Sequence, residues 1–162
     1  MCDCLKSFAG LGLLLMMAAF PASRADAQPV DLNLNGASDV WDLIYAASSA
    51  DPNIDSDDDG VINRLEAIAG TNPFDAASLP NIAVYFRSST NFSVRLIGAL
   101  GKQYELKSIA DLTGSNWVSE VSQIARTNSV VTLSATADDA TRFFKVQISD
   151  ADTDGDGVND WE

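Results

Sequence analysis

Three acidic stretches of the chain place oxygen-bearing side chains at alternate positions, which is the spacing of a cation-binding loop. The clearest is Asp55-Ser56-Asp57-Asp58-Asp59-Gly60-Val61-Ile62-Asn63-Arg64-Leu65-Glu66, with oxygen side chains at loop positions 1, 3, 5, 9 and 12 and glycine at position 6. Alternate side chains of a tight loop point at one centre, and hard oxygen ligands in this number suit calcium (Ca2+). The predicted ligands are the side chains of Asp55, Asp57, Asp59, Asn63 and Glu66 and the carbonyl of Val61.

The last ligand of this loop, Glu66, falls on the first turn of a predicted helix. It would close the site as a bidentate ligand, and it reaches the cation only once the helix has formed. Calcium binding and local folding should therefore be linked. The alternative is a solvated acidic turn, and five matching positions together with the glycine argue against it.

The first loop of the chain, which precedes the second loop Asp55–Glu66, has the same spacing but less negative charge. Its predicted ligands are Asp31, Asn33, Asn35, Asp39 and Asp42, with Gly36 at position 6. Because asparagine replaces aspartate at two positions, we expect this loop to bind calcium more weakly. Asp39 could also act as the N-cap of the helix that follows, and the two roles are compatible.

A third loop begins near the end of the sequence. Its predicted ligands are Asp152, Asp154, Asp156 and Asp160, with Gly157 at position 6. Position 12 would be residue 163, beyond the sequence, so we expect a weak site here and a longer parent protein.

The composition excludes several classes of function. The chain has no histidine, which excludes Ser-His-Asp and Cys-His catalytic systems and the usual zinc ligands. Its net charge of −13 repels nucleic acid and anionic membrane and attracts cations. No pair of glutamates lies in a context that indicates a glycosidase. We therefore expect a protein that is not an enzyme and has no nucleic-acid partner.

The N-terminus has the order of a secretory signal peptide. Lys6 precedes an apolar run from Phe8 to Phe20, and Ala25-Asp26-Ala27 supplies the cleavage site. The run holds 13 residues, too few to span about 30 Å of hydrocarbon; the alternative is a buried core helix. We predict cleavage after Ala27, no membrane insertion afterwards, and a secreted, periplasmic or cell-surface location.

Each of the first two loops precedes a short helical pattern. The predicted apolar stripes are Val40, Leu43, Ile44 and Ala47 in the first helix, and Ile62, Leu65 and Ala69 in the second. The loops begin 24 residues apart, which indicates a duplicated unit whose two stripes bury each other.

The middle of the chain alternates with period two, which is typical of strands with one buried face. The expected inward residues include Ile82, Val84 and Phe86 in the first strand, and Tyr104 and Trp117 are predicted as core aromatics rather than as a sugar platform. The sequence thus predicts an α+β protein, with a paired calcium-loop and helix module in residues 28–80. An antiparallel β-sandwich of about six strands follows in residues 81–149, and a further calcium repeat begins in residues 150–162.

The loop Asp55–Glu66, followed by Gly70-Thr71-Asn72-Pro73, resembles the thrombospondin type 3-like calcium repeats of secreted bacterial proteins. The stretch Asp31–Asp42 fits as a paired first half, and Asp152–Glu162 is similar to the start of another unit. The resemblance implies calcium binding, an extracytoplasmic location and a spacer or adhesion role, with another extracellular protein or a surface polymer as possible partner.

Two other functions fit the same residues. Two loop-helix units 24 residues apart are also the layout of a dockerin, which would bind a cohesin-type partner through its helices. The chain could also be the non-catalytic N-terminal region of a secreted enzyme.

Overall fold

The structure, a computed structural model, describes residues 30–88, 90–136 and 142–160. The predicted signal peptide, residues 1–27, lies outside these ranges. Among the described residues, no helix has the length and apolar character needed to cross a membrane.

Two short helices precede six strands. The elements are α1 (Asp39–Tyr45), α2 (Asn63–Ala69), β1 (Ile82–Arg87), β2 (Asn91–Gly98), β3 (Lys102–Ile109), β4 (Val118–Ile124), β5 (Ser129–Thr136) and β6 (Phe143–Asp150). All strand pairs are antiparallel, and they form two three-stranded sheets in the orders β1-β2-β5 and β4-β3-β6. The prediction of two helical units followed by six antiparallel strands is confirmed.

One hydrophobic core takes side chains from both sheets. Its buried members alternate along β2, β3 and β5 as period-two patterning requires: Val94, Leu96, Tyr104, Leu106, Val131, Leu133 and Ala135. Ala125, just after β4, is also part of it. Phe92 of one sheet stacks on Phe144 of the other, with ring centroids 4.1 Å apart. Tyr104 is a core aromatic as predicted, 2% exposed, and its hydroxyl accepts a hydrogen bond from the Ala99 amide at 2.8 Å.

The predicted inward face of β1 is wrong. Ile82 pairs with the buried Leu96, but the register shifts between Ile82 and Val84, so that Val84 pairs with the outward-facing Arg95. Val84 and Phe86 are 54% and 61% exposed, and Tyr85, which pairs with the buried Val94, is 73% exposed. All six residues of this edge strand are exposed, so β1 has no buried face.

Trp117 is also not a core residue. It precedes β4 and is only half-buried, with the ammonium of Lys145 lying 4.5 Å from the centroid of its ring. The ring thus forms a cation–π contact at the surface of the β4-β3-β6 sheet.

The predicted apolar stripes of the helices are correct for Ala47 and Ala69, which are 1% and 4% exposed, and wrong for the large side chains. Leu43 and Ile44 are 83% and 53% exposed, and Leu65 is 48% exposed. The helices bury Trp41 and Asp42 in α1, and Asn63, Glu66, Ala67 and Ala69 in α2. In each seven-residue helix the acidic residue at loop position 12 faces inward, and this fixes which side of the helix is turned away from solvent.

The two loop-helix units pack through a small aromatic cluster. Trp41 and Tyr45 meet edge to face with ring centroids 5.8 Å apart. The cluster also contains three small residues, Ala37, Ala47 and Ala67, which bring residues of both units together. The pairing was therefore predicted correctly, but through different side chains.

Candidate metal centre

The loop from Asp55 to Glu66 gathers carboxylates at one point. Asp55, Asp57 and Asp59 are half-buried, whereas the intervening Ser56 and Asp58 are exposed. Carboxylate oxygens of the three half-buried residues all lie within 4.8 Å of one another. The alternation predicted from the sequence therefore directs these three side chains to a common centre.

Backbone amides hold these carboxylates in place. Asp55 Oδ2 accepts from the Gly60 amide at 2.8 Å, and Asp59 Oδ1 accepts from the Val61 amide at 2.7 Å. The turn requires left-handed backbone at Asp58 (φ 62°) and Gly60 (φ 95°), a conformation that glycine adopts without steric cost. The hydrogen bond from Gly60 lowers the pKa of Asp55, which favours the charged form.

Glu66 closes the loop from the first turn of α2. It is 0% exposed, and its Oε1 accepts from the Thr71 hydroxyl at 3.2 Å. Burial raises its pKa to about 7, and the negative charges of Asp57, Asp59 and Asp55 act in the same direction. The pKa of Asp57 is also raised, first by burial and then by its acidic neighbours.

Four buried oxygens of this loop have no hydrogen-bond partner among the described residues: Asp57 Oδ2, Asp59 Oδ2, Asn63 Oδ1 and Glu66 Oε2. Asn63 donates its Nδ2 to Ser56 Oγ at 2.9 Å and to the Asp51 carbonyl at 2.7 Å. A buried acceptor without a partner is costly, and several in one loop need a common explanation. A hard cation with six to eight oxygen ligands fits this donor set.

The first loop, Asp31–Asp42, forms the same turn, but side-chain amides of asparagine bind its carboxylate at position 12. Asp31 Oδ2 accepts from the Gly36 amide at 2.9 Å. Asp42, at position 12, is 4% exposed, and its Oδ2 accepts from the Nδ2 atoms of Asn33 and Asn35, each at 2.8 Å. Its Oδ1 is buried without a partner in the described part of the chain. The side-chain amides of Asn33 and Asn35 therefore bind the carboxylate that is predicted to close this loop around a cation.

The alternative role of Asp39 as an N-cap is wrong. Ser38 is the N-cap of α1, and its Oγ accepts from the Val40 amide at 3.2 Å. Asp39 is the first residue of the helix, and its Oδ2 accepts from the Leu32 amide at 3.1 Å.

The third loop also gathers its aspartates. Oxygens of Asp152, Asp154 and Asp156 lie within 4.8 Å of one another, but Asp154 and Asp156 are exposed. The Gly157 amide donates to Asp152 Oδ2 at 3.1 Å, as at the corresponding positions of the other loops.

In all three loops the residue at position 9 forms a backbone hydrogen bond back to the start of the loop, a contact that was not predicted from the sequence. Its backbone amide donates to the carbonyl of the residue just before the loop, at 2.7–2.9 Å: Asp39 to Val30, Asn63 to Ile54 and Asp160 to Ala151. Its side chain also bonds to position 2, as Asp160 Oδ1 does to the Thr153 amide at 2.7 Å. This bond and one from the Thr153 hydroxyl lower the pKa of Asp160. An oxygen side chain recurs at position 9 of all three loops, and this is the sequence signal for the contact; the sequence predicts these residues as cation ligands and, for Asp39, also as a helix N-cap.

Comparison with known families supports this geometry for the second loop. Residues 55–76 match the family model of the bacterial TSP3 repeat. This segment is a bacterial TSP3 repeat. It is a structural, calcium-binding kind of repeat, and its match spans the loop, α2 and the turn that follows. No curated protein matches the chain, and no solved structure does.

The part of the TSP3 repeat that follows α2 contacts Glu66, the residue at position 12 of the loop. Pro73 is fully buried, and Asn72 Oδ1 accepts from the Phe74 amide at 3.1 Å, which turns the chain away from the helix. Thr71 supplies the hydroxyl that bonds Glu66. The Gly-Thr-Asn-Pro segment thus orients the closing carboxylate.

Proposed function

We propose that this chain is an exported, non-enzymatic module of a larger secreted or cell-surface protein, in which calcium stabilises the acidic loops. The two sheets are interpreted as the layers of a β-sandwich that the calcium module spaces or presents. The module boundaries after residues 80 and 149, and cleavage of the signal peptide after Ala27, are part of this proposal. The four unpartnered buried oxygens of the TSP3 repeat support the calcium-binding part of this proposal.

The elements around the loop have little intrinsic stability, which gives the cation a structural role. Helices α1 and α2 have seven residues each, and isolated helices of this length do not persist in water. The sequence after residue 27 contains no cysteine, so no disulfide can constrain it. A cation that binds the folded loop stabilises it by mass action, and Glu66 extends that effect into α2.

Thermal unfolding of the chain in calcium, in magnesium and in chelator tests the proposal. Calcium in the range of about 10⁻⁴–10⁻³ M should raise the melting temperature and the helical circular dichroism together. Magnesium should be a poor substitute because it demands octahedral geometry and gives up its water reluctantly. An unchanged melting temperature at millimolar calcium would contradict the proposal.

A dockerin-like function is the second candidate, and one observation favours it. Both helices expose large apolar side chains: Leu43, Ile44, Leu65 and Ile68, 43–83% exposed. Helices that bind a partner protein present such residues. In this case Leu43→Glu should abolish a calcium-dependent complex with an extracellular protein and leave the melting temperature unchanged. If no such complex forms, the spacer function stands.

A further inference from the structure

The C-terminal turn of α2 is the point where three parts of the protein meet. Both the Gly70 and Thr71 amides donate to the Glu66 carbonyl, at 2.7 and 3.0 Å, so the Ala67 carbonyl does not receive its usual bond from Thr71. Carbonyls at a helix end need partners from elsewhere. Here the partners come from α1 on one side and from β3 on the other.

On the side of α1, two aromatic residues bind this turn. Tyr45 donates its hydroxyl to the Gly70 carbonyl at 3.1 Å, and Trp41 donates Nε1 to the Thr71 carbonyl at 2.7 Å. The first loop-helix unit is thereby fixed to the end of the TSP3 repeat's helix.

On the side of the sheets, the partner is Lys102, the first residue of β3. Its Nζ donates to the Ala67 carbonyl at 3.0 Å, and the residue is 1% exposed. A cation is favourable at a helix C-terminus, and α2 has no basic residue in its own last turn. Ala67 follows directly after Glu66, the closing ligand.

Lys102 also reaches the strand that leads to the third loop. It pairs with Asp150 at the end of β6, opposite it in the ladder. The next amide, that of Ala151, donates to the Gly101 carbonyl at 2.9 Å, and the third loop begins at Asp152. Glu66 is therefore connected to Lys102 through its peptide bond to Ala67 and the hydrogen bond from Lys102 to the Ala67 carbonyl. An ion pair connects Lys102 to Asp150, at the end of the strand that precedes the third loop.

We propose that Lys102 couples occupation of the TSP3 loop to the order of the adjoining ends of β3 and β6. When a cation holds Glu66 and α2, the Ala67 carbonyl is fixed as an acceptor for the buried ammonium. Without the cation α2 is less ordered, Lys102 loses this acceptor, and the strand ends are protected less. This inference rests on the proposed calcium binding, and it adds a fixed connection between the calcium module and the sheets.

Hydrogen exchange with and without calcium tests the coupling in the full chain. In the wild type, calcium should slow amide exchange in residues 63–71 and also in residues 101–102 and 150–151, by about tenfold or more. The double variant Lys102→Met/Asp150→Asn removes both charges, so that no unpaired charge stays buried. In it, calcium should still protect residues 63–71, and the effect on the strand ends should fall below about twofold.

Lys107→Met is the matched control. Lys107 lies on the same strand and pairs with Glu105 at 2.9 Å, and its side chain is 21% exposed. This variant should behave as the wild type does.

The outcomes separate this inference from the proposed function. Equal calcium protection of the strand ends in the double variant and the wild type overturns the role of Lys102. Calcium binding in the wild type without any protection of the strand ends also overturns it and leaves the proposed function intact. An absence of calcium binding overturns both.

Discussion

The carboxyl group of Glu66 is enclosed by α2 and by the three aspartates of its loop, so protons and calcium compete for it. Its pKa is raised to about 7 from 4.5 because burial and the neighbouring charges disfavour the carboxylate. A cation supplies the missing positive charge and reverses that preference. Proton release should therefore accompany calcium binding below pH 7.

Calorimetry of calcium binding in two buffers with different ionisation heats measures that release. Close to one proton should leave per cation at pH 6 and close to none at pH 8, because Glu66 is already ionised there. The Glu66→Gln variant should show no such difference between the two pH values. Equal proton release at pH 6 and pH 8 in the wild type would show that Glu66 does not close the site.

The same shift predicts how the calcium-free chain responds to pH. The folded state holds the Glu66 proton more tightly than the unfolded state does, so the free energy of unfolding should fall as pH rises from 4.5 to about 7. Denaturant titrations in chelator across this range measure the fall. Glu66→Gln should remove most of it, and a stability that rises over the range would contradict the assignment.

At the level of elements, the junction after α2 depends on one glycine. Gly70 has φ +75°, and a Cβ built on it would lie 2.8 Å from the Ala99 Cβ. Gly70→Ala should lower the free energy of unfolding by about 1–3 kcal/mol, through the left-handed conformation and the close approach together. Gly36→Ala is the matched control, because Gly36 has φ +82° and a Cβ built on it would meet no atom within 4 Å. Equal losses in the two variants, measured in chelator, would mean that the contact with Ala99 adds nothing.

The exposure of the edge strand β1 gives a second test at this scale. Leu133→Ala should cost about 2–5 kcal/mol, because Leu133 is 0% exposed in the shared core. Phe86→Ala should cost about 0.5 kcal/mol or less, because Phe86 is 61% exposed on a strand without a buried face. Urea unfolding of both variants measures the difference, and a large loss for Phe86→Ala would place it in the core after all.

The elements show which features were predictable from sequence. The acidic loops were, because ligand spacing is a local property: Asp55, Asp57 and Asp59 converge as predicted. The number of strands and their positions along the chain followed from alternation, but their order within the two sheets was not predicted. The inner face of β1 did not, because the alternation of Ile82, Val84 and Phe86 does not show that β1 lies at a sheet edge with both faces exposed.

Contacts that are distant in sequence were also not predictable. The bond from Lys102 to the Ala67 carbonyl joins residues 35 positions apart, and nothing in the local pattern around either residue indicates it. The helix faces were wrong for a related reason. Hydrophobic periodicity assumes that apolar residues turn inward, whereas in α1 and α2 the inward positions include Asp42 and Glu66.

For the whole molecule, the negative charge and the proposed export both bear on where these loops would bind calcium. The full chain carries a net charge of −13, which cations at the acidic loops would reduce. Extracellular calcium reaches the millimolar range for which modules of this kind are suited.

Export itself is testable at the N-terminus. The segment Ala25-Asp26-Ala27 follows the apolar run, so the mature chain should begin at Gln28. N-terminal sequencing of protein recovered outside the cytoplasm should find Gln28. Recovery of an intact Met1 terminus from that fraction would rule out cleavage.

The most direct test of the calcium site is a calorimetric titration of three proteins: wild type, Glu66→Gln and Asp58→Asn. Each variant removes one negative charge from the same loop, but Glu66 is buried against the site whereas Asp58 is exposed. Asparagine also tolerates the left-handed backbone of Asp58, φ 62°. Glu66→Gln should weaken calcium binding by more than about tenfold, and Asp58→Asn by less than about threefold. Indistinguishable affinities for the two variants, or no binding heat from the wild type at millimolar calcium, would contradict a calcium site closed by Glu66.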